Sequence, residues 1–252
     1  MKKQNLLLVL LLGMLVSFSS CEKKSLSDTE NGAVKKELLN ADKNLQTAEN
    51  VIYFLDDIEV SKTEFEENKN KIESPYVIQT ERMDDKTGTI ISLMYLFTTE
   101  RGYIEYGDKH NLKLKEELEF ASHMREYAEK TGTIKEYEQT GKVPEYYTKY
   151  EAEYYNKVFG DISQSKILYI LYDNNNYSGD HIGVPYFWML ATLGSMKNRV
   201  SSVIDGGTGG VITFYDRTFF RRFLTTHVFT PFLFNWKLSS SVDNRAESVV
   251  TH

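Results

Sequence analysis

Five histidines, at positions 110, 123, 181, 227 and 252, are the first candidates for metal or acid–base chemistry. Their spacing defeats that chemistry. None stands in an HExxH arrangement, which would put two imidazoles on one helix face around a zinc ion. His123 falls on an acidic helical stretch and is expected to be solvated. Gly206-Gly-Thr-Gly-Gly210 has the glycine density of a phosphate cradle, but the Lys-Ser/Thr of a P-loop does not follow it. Lying between two predicted strands, it reads as a connection. No GxSxG marks a nucleophile elbow, and Ser, His and Asp fall into no triad by order or context. Asp56-Asp57, Asp84-Asp85 and Glu116-Glu117 read as turn or surface residues rather than as a glycosidase pair. Arg221 and Arg222, beside Phe219, Phe220 and Phe223, form a basic aromatic patch, a slender basis for an anionic partner. The expectation is a protein that is not an enzyme. An activity within residues 50–160 would need a deep pocket lined by converging polar groups.

The only cysteine, Cys21, has a different chemistry in view. Lys2 and Lys3 precede an apolar run, Leu6 to Val16, that is too short to span a bilayer comfortably. Ser17-Phe18-Ser19-Ser20-Cys21 then resembles the lipobox of bacterial lipoproteins, with Phe18 at a position where an aliphatic residue is commonest and relaxed versions resemble those of Bacteroidetes. The resemblance implies a signal peptide over residues 1–20, a lipidated Cys21 that anchors the chain to a membrane, and a place in the bacterial cell envelope. Glu22 after the cysteine permits sorting to the outer membrane. A capped thiol leaves no disulfide and no cysteine nucleophile. Loss of Lys2 and Lys3 with the leader takes the formal charge from −6 to −8, so a nucleic acid is not an expected partner.

Residues 21–49 are polar and read as a tether. From Val51 short apolar runs begin: 51–55 and 58–60 as a strand pair turned by Asp56-Asp57. Ser61-Lys-Thr-Glu64 is a capping box, flanked by Val60 and Phe65 at the staple positions, and predicts a helix to about Ile72. Strands follow over 76–82 and 89–97, the second so continuously apolar that it should be central. A helix is predicted to open at Thr98 or Thr99. Another is expected from Asn111 to Thr131, with Leu114, Leu118, Ala121 and Ala128 as its inner stripe and Gly132 as its stop. Pro144 opens a third, with Tyr147, Tyr150, Tyr154 and Val158 on its inner face and Gly160 at its end. Residues 50–160 therefore read as a small α+β module in which the tyrosines are core rather than a ligand platform.

Beyond residue 166 the chain repeats itself. Tyr172-Asp-Asn-Asn-Asn-Tyr177-Ser-Gly179 is followed by Lys197-Asn-Arg-Val-Ser-Ser202-Val203. Tyr215-Asp-Arg-Thr-Phe-Phe220-Arg-Arg222 is followed by Asp243-Asn-Arg-Ala-Glu-Ser248-Val249. Such units bury their apolar faces on one another. The spacing lets one ring pack on the other across a folded hairpin, and glycine takes a backbone geometry that a Cβ would obstruct. At these residues (Tyr172, Tyr177, Gly179, Ser202, Tyr215, Phe220 and Ser248) the chain resembles the βγ-crystallin family. There, two Greek-key motifs pair into one sandwich. The resemblance covers 166–252, about a third of the chain, and implies an α+β N-terminal module followed by an all-β βγ-crystallin-like Greek-key sandwich. Arg222 in place of the second glycine predicts an altered second hairpin.

Microbial members of that family often bind calcium through Asn/Asp, Asn/Asp, two residues, Ser/Thr, Ser, joined to a hairpin oxygen of the other motif. Calcium takes six to eight oxygen ligands. The resemblance implies Asn198 and Ser201 from the first segment, Asp243, Asn244 and Glu247 from the second, and Asp173 and Asp216 at the hairpins. Lys197 puts a cation where an acceptor is expected, and Glu247 replaces the hydroxyl, so one weakened site is expected rather than two strong ones. Without the metal, these acidic and amide residues are turn residues. The functional expectation is a lipid-anchored envelope protein with a binding or structural domain, its partner a protein or glycan. The alternative is a protease inhibitor, as some members of that family are, which would need an exposed loop. Residues 223–236 are its candidate.

Overall fold

A computed structural model describes residues 50–160, 167–185, 188–206, 209–230, 235–238 and 242–252. Val51–Leu55 (β1) and Ile58–Val60 (β2) form a hairpin about Asp56 and Asp57. Their φ values of 47° and 67° are the left-handed pair that a two-residue hairpin turn requires. Ser61 then caps Lys62–Lys71 (α1), its hydroxyl accepting from the Glu64 amide at 3.2 Å. Tyr76–Met83 (β3) and Ile90–Phe97 (β4) pair antiparallel, and β1 lies parallel to β4, so β4 is central as its apolar run predicts. Thr99 caps Glu100–Lys109 (α2).

Leu114–Lys130 (α3) starts three residues later than the sequence suggests. Gly132, at φ 74°, stops it and at once starts a further helix, Thr133–Thr140 (α4), that the periodicity alone does not announce. A single left-handed residue turns the chain there, which a side chain with a Cβ would resist. Glu145–Phe159 (α5) follows Pro144 and ends at Gly160, as expected.

The remaining strands are Ile167–Tyr172 (β5), His181–Pro185 (β6), Trp188–Leu190 (β7), Ser202–Asp205 (β8), Gly210–Tyr215 (β9), Phe223–Phe229 (β10), Asn235–Lys237 (β11) and Ser248–Thr251 (β12). They are shared between two sheets. One sheet runs β11-β8-β5-β6; the other runs β2-β1-β4-β3-β10-β9-β12-β7. Within the repeat region, each sheet takes three strands from one copy and its fourth, short strand from the other: β11 joins the first copy, β7 the second.

The long sheet also absorbs the N-terminal strands. Thr226, His227 and Val228 of β10 pair parallel with Ile78, Gln79 and Thr80 of β3. The fold is α+β, and residues 50–160 and 166–252 contribute to one sheet instead of forming two with separate edges. β10 finds its second neighbour in β3, which removes an open edge from both. This pairing also corrects the expectation of an exposed loop over 223–236 at both ends of that segment, residues 231–234 lying outside the described residues. Residues 223–229 are a strand bonded on one side to β9 and over part of its length to β3, and 235–237 pair with β8.

Three layers result. Helices α2, α3 and α5 cover one face of the long sheet, through Tyr103, Leu114, Phe120 and Tyr155 against Ile78, Val211 and Val250. On the opposite face α1 covers the N-terminal strands through Phe65, and the four-stranded sheet covers the repeat strands. Between the two sheets lie Leu171, Val203, Phe214, Trp236 and Val249, fully or almost fully buried. Alternation along β9 shows the division: Ile212 and Phe214 enter the sandwich, while Val211 and Tyr215 face the helices. No helix among the described residues is long and apolar enough to cross a membrane.

Candidate metal centre at the junction of the two repeats

Both copies fold over, the second closing one residue earlier than the first. The Asp173 amide donates to the Asp180 carbonyl at 3.1 Å, and the Asp216 amide to the Arg222 carbonyl at 2.7 Å. Ser202 closes the first hairpin by donating to the Asn174 carbonyl (2.6 Å); Ser248 closes the second by donating to the Arg217 carbonyl (2.7 Å). Tyr177 and Phe220 occupy matching positions at φ 56° and 57°. The ring of Phe220 meets Tyr215 edge-on at 5.6 Å, as the aromatic spacing predicts, while Tyr172 packs beside His181. The second hairpin is altered as expected, because Phe219 also takes φ 58°. In the first, Gly179 at φ 85° is favoured, since a Cβ there would be strained and would lie 2.0 Å from Asp173 Oδ1, forcing that side chain to move.

The two downstream segments meet each other. Asn198 donates its amide to the Ala246 carbonyl and Asn244 to the Val200 carbonyl, both asparagines being left-handed. Reciprocal placement brings the fifth residue of each segment to the first two residues of the other. Ser201 Oγ lies 2.5 Å from Asp243 Oδ1 and 3.4 Å from Asn244 Oδ1, a hydroxyl, a carboxylate and an amide oxygen together. On the mirrored side Glu247, nearly buried, faces Lys197 and Asn198: Lys197 Nζ is 3.1 Å from Oε2, and Asn198 Nδ2 donates to Oε1 at 3.2 Å. The Thr218 amide donates to Oε2 as well, at 3.1 Å.

The first half therefore offers the hard oxygen donors that suit calcium, and the second half does not. There a protein ammonium and two N–H groups already neutralise and bond the carboxylate. Among the described residues, no cluster of three or more His, Cys, Asp and Glu side chains could hold a metal by those groups alone.

Asp173 and Asp216 do not join this junction. Asp173 Oδ2 accepts from Arg199 Nη2 at 2.6 Å, and the same guanidinium holds Asp180 at 2.7 Å. Asp216 Oδ2 accepts from Arg245 Nη2 at 2.8 Å and lies 3.3 Å from Arg222 Nη1. Arg199 and Arg245 are the third residues of the two downstream segments, so each copy clasps its hairpin aspartate with its own arginine. The sequence carries that signal, because Asn-Arg recurs at one distance before Ser202 and Ser248. The carboxylates of Asp180 and Asp173 hold the Arg199 guanidinium above its usual range.

Several side chains depart from sequence expectation. Glu117, expected at the surface, is fully buried and accepts from Tyr215 OH (3.0 Å) and Thr213 Oγ1 (2.9 Å), with His252 Nε2 at 2.9 Å. Since Thr213 donates to Glu117, the chain Tyr103–Thr226–Thr213–Glu117 runs as a relay of 2.8–2.9 Å bonds under the helices. Nothing in the helical periodicity flags it, because Glu117 lies beside the apolar stripe and acquires partners only from β9 and residue 252. His123 is half-buried, 2.8 Å from Tyr150 OH, and stacks on Tyr154. On α5 the buried stripe is Tyr147, Glu151, Tyr155 and Phe159, so Tyr150 and Tyr154 are half-exposed. Glu151 hides that stripe in sequence. Burial pushes its carboxyl up to about 8, and its Oε1 has no hydrogen-bond partner. His227, buried and stacked on Trp236 at 4.2 Å, is held well below the usual histidine range by desolvation. Cys21 lies outside the described residues.

No family model matches the chain, and no curated protein or solved structure matches it either.

Proposed function

We propose that this is a lipid-anchored protein of the bacterial cell envelope, not an enzyme, whose repeat region is a βγ-crystallin-like Greek-key domain serving as a binding or structural module. The observation that carries the reading is the exchange of β7 and β11, which gives each copy of the repeat one strand of its sister. Hairpins closed by Ser202 and Ser248 support it. The anchor rests on the lipobox resemblance at Cys21.

In this reading the domain takes calcium at one position only. Ser201, Asp243 and Asn244 would hold it, and the ion would supply a charge that binds one motif to the other. Lys197 supplies that charge on the mirrored side and excludes a second ion. A metal bound by the folded state alone stabilises by mass action, about 2.7 kcal/mol at a hundredfold excess over Kd. For a chain of this size that is a rise in Tm of roughly 5–10 °C. Thermal melts with and without millimolar calcium test this. The rise should vanish in Asp243→Ala/Asn244→Ala, and a wild-type Tm indifferent to calcium would remove the metal from the proposal.

A further inference from the structure

The two hairpins differ in how many of their side-chain-bearing residues turn left-handed. In the first, Tyr177 alone does so. In the second, Phe220 repeats Tyr177, and Phe219 before it also lies in the left-handed region, at φ 58° and ψ 37°. Its counterpart Asn176 does not. A Cβ makes that region costly, and a bulky side chain fits it worse than the asparagines at 198 and 244 do. The repeat accounts for Phe220. It does not account for Phe219.

The surroundings of Phe219 do. The cluster beneath the helices takes in Phe219 and Phe220 but neither Tyr172 nor Tyr177. Phe219 is fully buried, its ring meeting Tyr147 of α5 edge-on at 5.3 Å and Tyr137 of α4 at 5.5 Å. Its amide donates to the Ala191 carbonyl at 2.7 Å. Phe220 meets Phe120 of α3 at 5.9 Å, and its amide donates to Ser248 Oγ at 3.2 Å. One residue earlier the grip changes sides. The Thr218 amide donates to Oε2 of Glu247, the carboxylate that Lys197 and Asn198 hold at the junction. Three consecutive residues thus bridge two layers, and a strained backbone persists only where its surroundings over-determine it.

We infer that Thr218–Phe220 is a strained latch that couples the helix layer to the junction of the repeats. Held from both sides, Phe219 stays left-handed. With either side loosened it relaxes toward the form of the first hairpin, where one such residue suffices, and the other side loosens with it. A partner that displaces α4 or α5 would thereby weaken the hold on Glu247. A change of charge beside Glu247 would in turn loosen the packing of Phe219. The coupling is reciprocal, because both grips act on one element.

Amide hydrogen exchange of the full chain tests the latch, with the Thr213 amide at the centre of β9 as the reference for opening of the whole domain. Lys197→Met removes the countercharge of Glu247 without altering any residue under the helices. It should speed exchange of the Phe219 amide, bonded to Ala191, tenfold or more relative to Thr213. Tyr147→Leu removes the ring beside Phe219 and no hydrogen bond, since the buried Tyr147 hydroxyl has no partner. It should speed exchange of the Thr218 amide, bonded to Glu247, by a similar factor. If Tyr147→Leu does not fold, Tyr137→Leu reaches the same ring from α4. Denaturation of the double variant Lys197→Met/Tyr147→Leu gives a second reading. Its loss in folding constant should fall short of the product of the two single losses by fivefold or more, whereas independent sites multiply. Exchange that rises only on the substituted side, or single losses that multiply, would overturn the latch.

Discussion

The two copies of the repeat share the backbone of their junction and differ at their hairpins and in charge. Hairpin closure, the left-handed asparagines Asn198 and Asn244, and the reciprocal amide bonds between the segments recur in both. Yet Arg199 lies between Asp173 and Asp180 in the first hairpin, whereas Arg222 and Arg245 meet at Asp216 in the second. At the junction, a hydroxyl faces Asp243 on one side and an ammonium faces Glu247 on the other. Backbone hydrogen bonds hold the motif, so they tolerate little change. The side chains above them need only local neutrality and are free to diverge. A repeat can therefore keep its fold while the charges on its two halves diverge.

The strongest way to break the comparison is to exchange the residues that break the repeat. Gly179→Arg should destabilise by about 2–3 kcal/mol, because the φ of 85° strains a residue with a Cβ and Asp173 must also move. The reciprocal Arg222→Gly should cost less than about 1 kcal/mol, an entropic loss in an already formed turn. Chemical denaturation of both variants reads the asymmetry, and equal losses would mean that the hairpins are equivalent after all.

Next in size is the junction. Lys197→Met leaves the nearly buried Glu247 with two N–H donors and no countercharge, at a cost of about 1–3 kcal/mol after allowance for the partial exposure of Lys197. Raising the ionic strength should recover little of it, since the carboxylate is shielded from solvent. Denaturation midpoints at low and high salt check both points.

The smallest effect at neutral pH should come from outside the repeat, and it sharpens the comparison by exclusion. Each carboxylate of the two clasps and the junction has a partner on at least one oxygen, whereas Glu151 on α5 is buried in an apolar layer with Oε1 unpartnered. Its folded pKa, pushed up to about 8, lies above the ordinary carboxylate value. The stability it confers is full below that ordinary value and declines as pH rises through about 8. The wild type should therefore melt higher at about pH 5 than above pH 8, and Glu151→Gln should flatten that slope. A slope that persists in Glu151→Gln would move its origin to Glu81, whose carboxyl burial pushes up to about 7.

Much of the local structure is legible in the chain. The capping serine at 61, the continuous apolar run of β4, the stop at Gly132 and Pro144 before α5 act through nearest neighbours, and their elements stand where expected. What misleads is polarity at buried positions. Glu117 and Glu151 look like surface residues because a helix pattern scores them as charged. One is satisfied from β9 and residue 252, and the other is held by the packing around it. The candidate metal residues divide in the same way. Ser201, Asp243 and Asn244 converge, while Asp173 and Asp216 are claimed by arginines that the sequence shows without showing their aim.

By itself, then, the sequence determined the repeat, the helix ends, the turn chemistry and the acidic balance, all of which depend on residues close together in the chain. Tertiary structure alone decided that β3 and β10 share a sheet and that Glu117 has partners. It also decided that Lys197 fills one half of the junction and that Phe219 lies under the helices. Those outcomes pair residues that lie up to about 150 positions apart, Thr80 and Val228 among them. Local propensity carries no term for such pairs, and only the closing of the layers brings them within a hydrogen bond.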